Sequence, residues 1–187
     1  MIVAETARVR LRYFEERDFE DEIAYLNDWD VNGPLVVPPF PFEHKDAVKF
    51  YAKMKQAYEA GRPEFFVVAA RETDRLMGAI GIHGEHTLAA RDHVGEVGYW
   101  LGKPFWGQGF MCEAMVPMID YAFARLGYTH LVATTNTDNV PSQKFLKKMG
   151  FDYLGLQTPL KRGTRGTEQV TSWQLSAVRH AQRKKYV

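Results

Sequence analysis

The chain predicts an α/β fold in a single domain spanning residues 1–187. Three observations carry that expectation. The length of 187 residues fits one domain of ordinary size. Apolar residues make up 45% and aromatics 13%, enough for one sizeable core and too many for a disordered chain. Strand-like and helix-like segments are interleaved, a hairpin precedes a central strand–turn–helix unit, and no repeat, heptad array or interdomain linker interrupts them.

The elements follow in order. Val9-x-Leu11-x-Tyr13 alternates and reads as a first strand. Asp18 to Asn27 reads as a helix with Phe19, Ile23 and Leu26 on one face and acids about its start. The segment from Asn32 to Phe42 carries Pro34, Pro38, Pro39 and Pro41, so it is a stiff loop. Its apolar Leu35, Val36, Val37, Phe40 and Phe42 either pack on the core or line a substrate mouth. Glu43 to Ala60 is a helix stopped by Gly61. Phe65 to Ala69 and Leu76 to Ile82 form a hairpin turning at Glu72-Thr73-Asp74. Gly95 to Leu101 is the next strand, in which Gly98 suggests a bulge or a close backbone approach. Phe110 to Leu126 is a helix apolar nearly all round, expected to be covered on several sides and kinked at Pro117. Leu131 to Thr135 is a strand, Val140 to Met149 a short helix, and Phe151 to Leu156 and Val170 to Leu175 the closing strands.

Composition narrows the function classes. Lys and Arg number 24 against 23 Asp and Glu, a net charge of +1, so no global field draws the chain to nucleic acid or to an anionic membrane. The basic run from Arg179 to Lys185 reads as a solvated terminus. Cys112 is the single cysteine, which excludes an internal disulfide and a thiolate metal cluster. His83-x-x-His86 sits in a turn-like segment and reads as surface rather than as a metal site. Residues 1–12 have no apolar stretch of signal-peptide length, and no apolar run approaches the roughly 20 residues that span a bilayer. The expectation is a cytoplasmic protein without a metal, either a monomer or a homodimer.

The most informative stretch is Pro104-Phe105-Trp106-Gly107-Gln108-Gly109-Phe110-Met111-Cys112-Glu113-Ala114. It leads from an apolar strand through a turn with two glycines into a helix. Such a helix start offers unpaired N–H groups and the positive end of the dipole to an anion. A pyrophosphate-bearing ligand is one reading, and an ordinary strand–loop–helix connection is the other.

Three stretches in register carry a family resemblance: residues 95–101 (Gly-Glu-Val-Gly-Tyr-Trp-Leu), residues 106–114 about the two glycines, and Asn139-Val140-Pro141-Ser142 running to Lys148-Met149-Gly150-Phe151. Together they resemble a Gcn5-related N-acetyltransferase (GNAT) of the RimJ/RimL-like, ribosomal-protein-acetylating branch, and the likeness extends over nearly the whole chain. The resemblance implies a mixed, mostly antiparallel central sheet splayed at a bulged central strand and flanked by about four helices. It also implies acetyl-CoA as co-substrate. Backbone of Gly98, Tyr99, Trp100 and Leu101 would pair with the pantetheine arm, and N–H groups of Gly107, Gln108, Gly109, Phe110 and Met111 would hold the pyrophosphate. Asn139 would touch the cofactor arm, although a helix cap alone accounts for it. The chain departs from the family at Pro104, where a Gln or Arg is common, and at Leu146, where many relatives carry a tyrosine acid.

Acetyl transfer to an amine needs a neutral nitrogen, a polarised carbonyl and a proton for the thiolate. Glu96, at the head of the splayed strand, is the candidate base, directly or through water; the alternative is a strand glutamate paired with a surface cation. A backbone N–H near Val97 or Tyr99 would hold the carbonyl oxygen. Ser142 or an ordered water would protonate the thiolate. Lys147 and Lys148 either approach the cofactor phosphates or are solvated helix lysines. Cys112 stands at a helix start where thiols are activated, but its apolar neighbours favour a buried thiol and not an acyl-cysteine route. The expected activity is therefore acetyl transfer from acetyl-CoA to a primary amine within a ternary complex. A peptide N-terminus or an amino-acid-like amine is the expected acceptor; a polyamine, an aminoglycoside, or no turnover at all in an acyl-CoA sensor are the alternatives. The loop Asn32–Phe42 and the segment Thr158–Glu168 are expected to shape the acceptor site.

Overall fold

The structure, a computed structural model, describes residues 1–61, 63–83, 93–159 and 168–184. Eight strands form one sheet in the order β1-β2-β3-β4-β5-β6-β8-β7. They are β1 (Ile2–Glu5), β2 (Val9–Arg12), β3 (Phe65–Ala70), β4 (Leu76–His83), β5 (Val94–Leu101), β6 (His130–Asn136), β7 (Asp152–Gln157) and β8 (Val170–Ser176). Every neighbouring pair is antiparallel except β5 with β6, which is parallel. That single parallel pair is bridged by a helix, as a parallel connection requires.

The helices are α1 (Phe19–Leu26), α2 (Trp29–Asn32), α3 (His44–Glu59), α4 (Phe110–Ala124), α5 (Val140–Met149) and α6 (Ala177–Lys184). Local chemistry sets their ends. Asp46 accepts a bond from the Glu43 amide to close a capping box before α3. Asn139 caps α5, and Gly150, at φ +95°, takes the left-handed turn that ends it. α4 and α5 lie on one sheet face over a core that includes Val9, Leu11, Phe66, Ile80, Val97, Met115, Met118 and Leu146. α1, α2 and α3 cover the other face over Phe14, Leu26, Val31, Phe42, Val67, Ala79 and Trp100. Each Val, Leu, Ile, Phe or Met side chain among these that is removed from water is worth about 1.5–3 kcal/mol. Arg12 is 1% exposed and makes a bidentate pair with Asp18, both bonds at 2.7 Å, which ties β2 to the start of α1.

Several expectations are corrected. α4 buries one stripe, Met111, Ala114, Met115, Met118, Ile119 and Ala122, while Val116 stands exposed, so it is covered on one side and not all round. Pro117 lies inside α4, where the sequence places it, and the helix continues past it to Ala124. The basic end of the chain is helical as well as exposed: residues 177–184 form α6, anchored by Arg179 to Asp152 at 2.8 Å and by His180 to Asp120 at 2.6 Å, while Val178, Ala181 and Gln182 face solvent. β1 and α2 add two short elements that the pattern did not announce. The Asn32–Phe42 loop divides its roles. Phe42 and Leu35 join the core, whereas Val36, Val37 and Phe40 are exposed, with Phe40 edge-on to Trp29. His86 and most of Thr158–Glu168 lie outside the described residues. Among the described residues no helix is long and apolar enough to cross a membrane.

Candidate active site

The site begins where two strands part. β5 stays paired with β4 from Glu96 to Leu101, but its pairing with β6 ends at Glu96–Val132, while β6 continues beside β8 to Asn136. A gap therefore opens between residues 97–101 of β5 and the far half of β6. The bulge expected at Gly98 is absent, because the register against β4 runs unbroken, Gly98 facing Gly81. The splay comes from β6 diverging and not from an extra residue in β5. Side-chain alternation sends Val97, Tyr99 and Leu101 toward α4 and α5, and Trp100 into the core under α1–α3. Glu96 and Gly98 share that second face, and a Cβ placed on Gly98 would meet nothing within 4 Å. Open space thus lies beside Glu96.

Two polar groups mark the ends of this seam. At the closed end, burial pushes the Glu96 carboxyl above its ordinary range, partly offset by a hydrogen bond from Thr134 of β6. Its partner across β4 is His83, whose Nδ1 lies 3.7 Å from Glu64. Farther along, the Tyr99 hydroxyl lies 2.7 Å from Ser142 Oγ, joining β5 to the first turn of α5 across the parted strands. The Tyr99 ring packs against Phe145 at 4.7 Å. Burial drives the Tyr99 phenol well above its ordinary range, against the lowering effect of Ser142, so Tyr99 stays protonated. The Ser142 amide donates to Asn139 Oδ1 at 3.2 Å, which gives Asn139 its capping role.

The glycine turn has the form an anion site needs. Gly107 and Gly109 sit at φ +72° and +82°, conformations that side chains resist. Residues 106–109 are exposed, and no side chain caps α4, so the first-turn N–H groups that include Phe110 and Met111 remain for a ligand. Gln108 turns its amide back to the Pro104 carbonyl at 2.7 Å. The Leu101 carbonyl, expected to meet a pantetheine arm, already accepts from Trp106 Nε1 at 2.7 Å. The Trp100 side chain is committed to the core, which leaves only its backbone on the seam. Cys112 is half-buried rather than enclosed. Lys147 lines a separate crevice of about 590 Å³ between α5 and β7, with Tyr153, Trp173 and Arg179.

One participant escaped the sequence reading. Arg8 bonds Glu113 through its amide at 2.7 Å and its Nε at 2.8 Å, and donates from Nη1 to the Gln108 carbonyl at 3.2 Å. Its guanidinium also lies over the Phe110 ring at 4.5 Å. Nothing local in the sequence signals this, since the partners are 100 and 105 residues away. Among the described residues, no three His, Cys, Asp or Glu side chains cluster as metal ligands would.

The family model described as "Acetyltransferase (GNAT) domain" matches residues 8–152. An uncharacterized N-acetyltransferase, p20, of Bacillus licheniformis is 29% identical over 153 residues, covering 81% of this chain and 83% of that one. The uncharacterized N-acetyltransferase YoaA of Bacillus subtilis is 28% identical over 158 residues, covering 82% and 85%. Among solved structures, a GNAT-family acetyltransferase from Bacillus anthracis superposes with a TM-score of 0.77 at 22% identity, covering 94% and 98%. RimL, the ribosomal L7/L12 alpha-N-protein acetyltransferase, solved in complex with coenzyme A, superposes with a TM-score of 0.78 at 15% identity, also covering 94% and 98%. At such identities the superpositions speak for the fold, and the match over residues 8–152 speaks for the family: this chain belongs to the acetyltransferase (GNAT) domain family.

Proposed function

We propose that this protein transfers the acetyl group of acetyl-CoA to a primary amine by direct attack in a ternary complex, with a peptide N-terminus or an amino-acid-like amine as acceptor. The observation that carries this reading is the single seam between β5 and β6, along which a half-buried carboxylate, a serine–tyrosine pair and an uncapped helix start are arrayed. CoA supplies an activated acyl group on a good leaving thiol. Gly107 to Met111 would hold its pyrophosphate, and the backbone of Gly98 to Leu101, with Asn139, its arm. Glu96 takes the proton that the attacking nitrogen must lose; burial makes it a stronger proton acceptor than an exposed glutamate. As the carbon–nitrogen bond forms and the carbon–sulfur bond breaks, the electron pair goes to sulfur, and Ser142, its own proton resupplied from solvent, or an ordered water gives the thiolate its proton.

Charge favours an acceptor with one cationic group. Of the acids that could have gathered at the mouth, Asp18 is matched by Arg12, Glu15 by Arg17, and Asp28 and Asp30 by Lys103, which leaves Glu16 without an ion pair among the described residues. A polyamine or aminoglycoside needs several unspent carboxylates. The exposed Val36, Val37 and Phe40 suit apolar or amide surroundings beside a single amine. The activity of RimL, α-N-acetylation of a ribosomal protein, is of the same class. The test is thiol release from acetyl-CoA with a short peptide, amino-acid amines, spermidine and an aminoglycoside at equal concentration. Faster turnover with the peptide or amino-acid amine is expected. Preference for the polycation overturns the acceptor reading, and no thiol release with any amine leaves a non-catalytic acyl-CoA sensor.

A further inference from the structure

The pair Tyr99–Ser142 has a geometry that assigns it more than packing. Ser142 is held at two points: its amide by Asn139 Oδ1 at 3.2 Å and its hydroxyl by Tyr99 at 2.7 Å. Tyr99 is held in turn by the Phe145 ring at 4.7 Å and by its place on β5, which stays in register with β4 through Trp100 and Leu101. Of the two hydroxyls, the phenol is the stronger donor and the alcohol the better acceptor. Either hydroxyl can donate in this contact, and on that chemistry we assign the bond as running from Tyr99 to Ser142 Oγ. That leaves the serine with one hydrogen to give, and among the described residues no second side-chain partner takes it. The residue that many relatives would offer here, a tyrosine on α5, is the fully buried Leu146.

We propose that Tyr99 is a positioning residue, which fixes the Ser142 hydroxyl so that its hydrogen is presented across the β5–β6 gap to the leaving sulfur of the thioester. The proposal rests on the reading of Ser142 as the thiolate's partner. Tyr99 does not change its own protonation during the reaction; burial keeps it a phenol. In the step itself, the amine nitrogen bonds to the acetyl carbon and gives its proton to Glu96. The carbon–sulfur bond breaks with its pair on sulfur, and Ser142 holds a hydrogen bond to that growing charge. A serine hydroxyl free to rotate would spend part of its time bonded to water or to the chain, whereas one already accepting from Tyr99 has fewer orientations to lose.

Steady-state kinetics of Tyr99→Phe, Ser142→Ala and the double variant test this, with CoA affinity measured by calorimetry and folding by thermal melting. Phenylalanine keeps the ring against Phe145 and removes only the hydroxyl. Loss of one oriented hydrogen bond should lower kcat about tenfold in Tyr99→Phe, with KM for acetyl-CoA and CoA affinity within about twofold. The double variant should be no slower than Ser142→Ala, because the tyrosine acts only through the serine. Two losses that multiply would overturn the proposal, and so would an unchanged kcat in Tyr99→Phe beside a slow Ser142→Ala. An unchanged kcat in Ser142→Ala would remove the reading of Ser142 itself, and the proposal with it. Should Tyr99→Phe melt early, Tyr99→Trp, which retains a hydrogen-bond donor, recovering more activity than Tyr99→Leu separates orientation from packing; equal losses in these two overturn the proposal.

Discussion

Arg8 and Glu113 are joined by two bonds at once, amide to carboxylate at 2.7 Å and guanidinium to carboxylate at 2.8 Å, and Thr6 adds a third to the same carboxylate at 2.6 Å. The pair fastens the start of β2 to the first turn of α4. It also deals with a difficulty of the proposed anion site, where the Glu113 charge would stand on the same helix turn as a bound pyrophosphate. Against a burial penalty that acts the other way, the bonds from Thr6 and Arg8 hold Glu113 below its ordinary range, so it is ionised at neutral pH and needs its arginine.

Arg8→Ala should therefore raise KM for acetyl-CoA roughly three- to tenfold with kcat nearly unchanged, as expected when a contact that serves binding alone is lost. Arg8→Lys should recover part of this, since a lysine restores charge without the forked geometry. Kinetics with acetyl-CoA varied at saturating amine make the measurement; a fall in kcat at constant KM would contradict it.

Gly98 offers a test with little effect on the fold. Its face is open, with no atom within 4 Å of an added Cβ and no positive φ to strain. Gly98→Ala should melt at or slightly above the wild-type temperature, because alanine lowers the entropy of the unfolded chain by about 0.4–1 kcal/mol. The methyl group nevertheless intrudes on the space beside Glu96 that the substrates must share. kcat/KM should fall by about tenfold or more, the scale of misplacing reactants by an ångström. Gly109→Ala supplies the contrast: at φ +82° it should lose about 1–2 kcal/mol of stability as well as CoA affinity. Full activity in Gly98→Ala would place the reaction elsewhere.

What the sequence made legible was local, and what it hid was long-range. The helix read over Glu43–Ala60 is α3, His44–Glu59, because a capping box and a glycine stop both act within a few residues. The glycine turn and Asn139 were legible for the same reason. α6 was not: its sequence is basic and has no large apolar residue but Val178, and it stands because Arg179 reaches Asp152 and His180 reaches Asp120, 60 residues away. β1 has four residues, with both end residues exposed, and is defined only by its pairing with β2. The splay was foreseen, but its cause was misread, since a glycine in a strand looks the same whether it makes a bulge or leaves room. Tyr99 was read for its backbone because its hydroxyl partner lies 43 residues on.

Glu22 on α1 predicts an unusual pH profile of stability. It is 3% exposed and its Oε2 has no hydrogen-bond partner. Burial, with a smaller contribution from the Asp18 charge, pushes its carboxyl from 4.5 up to about 8. The unfolded chain releases this proton near 4.5, while the folded chain keeps it to about 8. The folded state thus binds more protons within that window, and stability falls as pH rises through it. Glu22→Gln cannot ionise, so it should gain roughly 2 kcal/mol or more over wild type above pH 8 and little near pH 4. Chemical denaturation at a series of pH values reads this directly, and parallel curves for the two proteins would contradict it.

Glu96 makes the corresponding prediction for activity. Burial raises its carboxyl and Thr134 only partly offsets it, so the base form accumulates at higher pH than for an exposed glutamate. In wild type, kcat should climb with pH through this raised value, because only the carboxylate can accept the proton from nitrogen. Glu96→Gln keeps the size and can still meet Thr134, yet accepts no proton. Its kcat should be lower by about 10²–10³ near neutral pH, with CoA affinity unchanged. As pH rises and the amine sheds its proton to solvent unaided, the deficit should shrink, and an amine of lower basicity should shrink it further at any fixed pH. Rates measured across pH with two amines of different basicity decide the matter. A deficit independent of both pH and amine basicity would mean that Glu96 orders the strand through Thr134 and takes no proton.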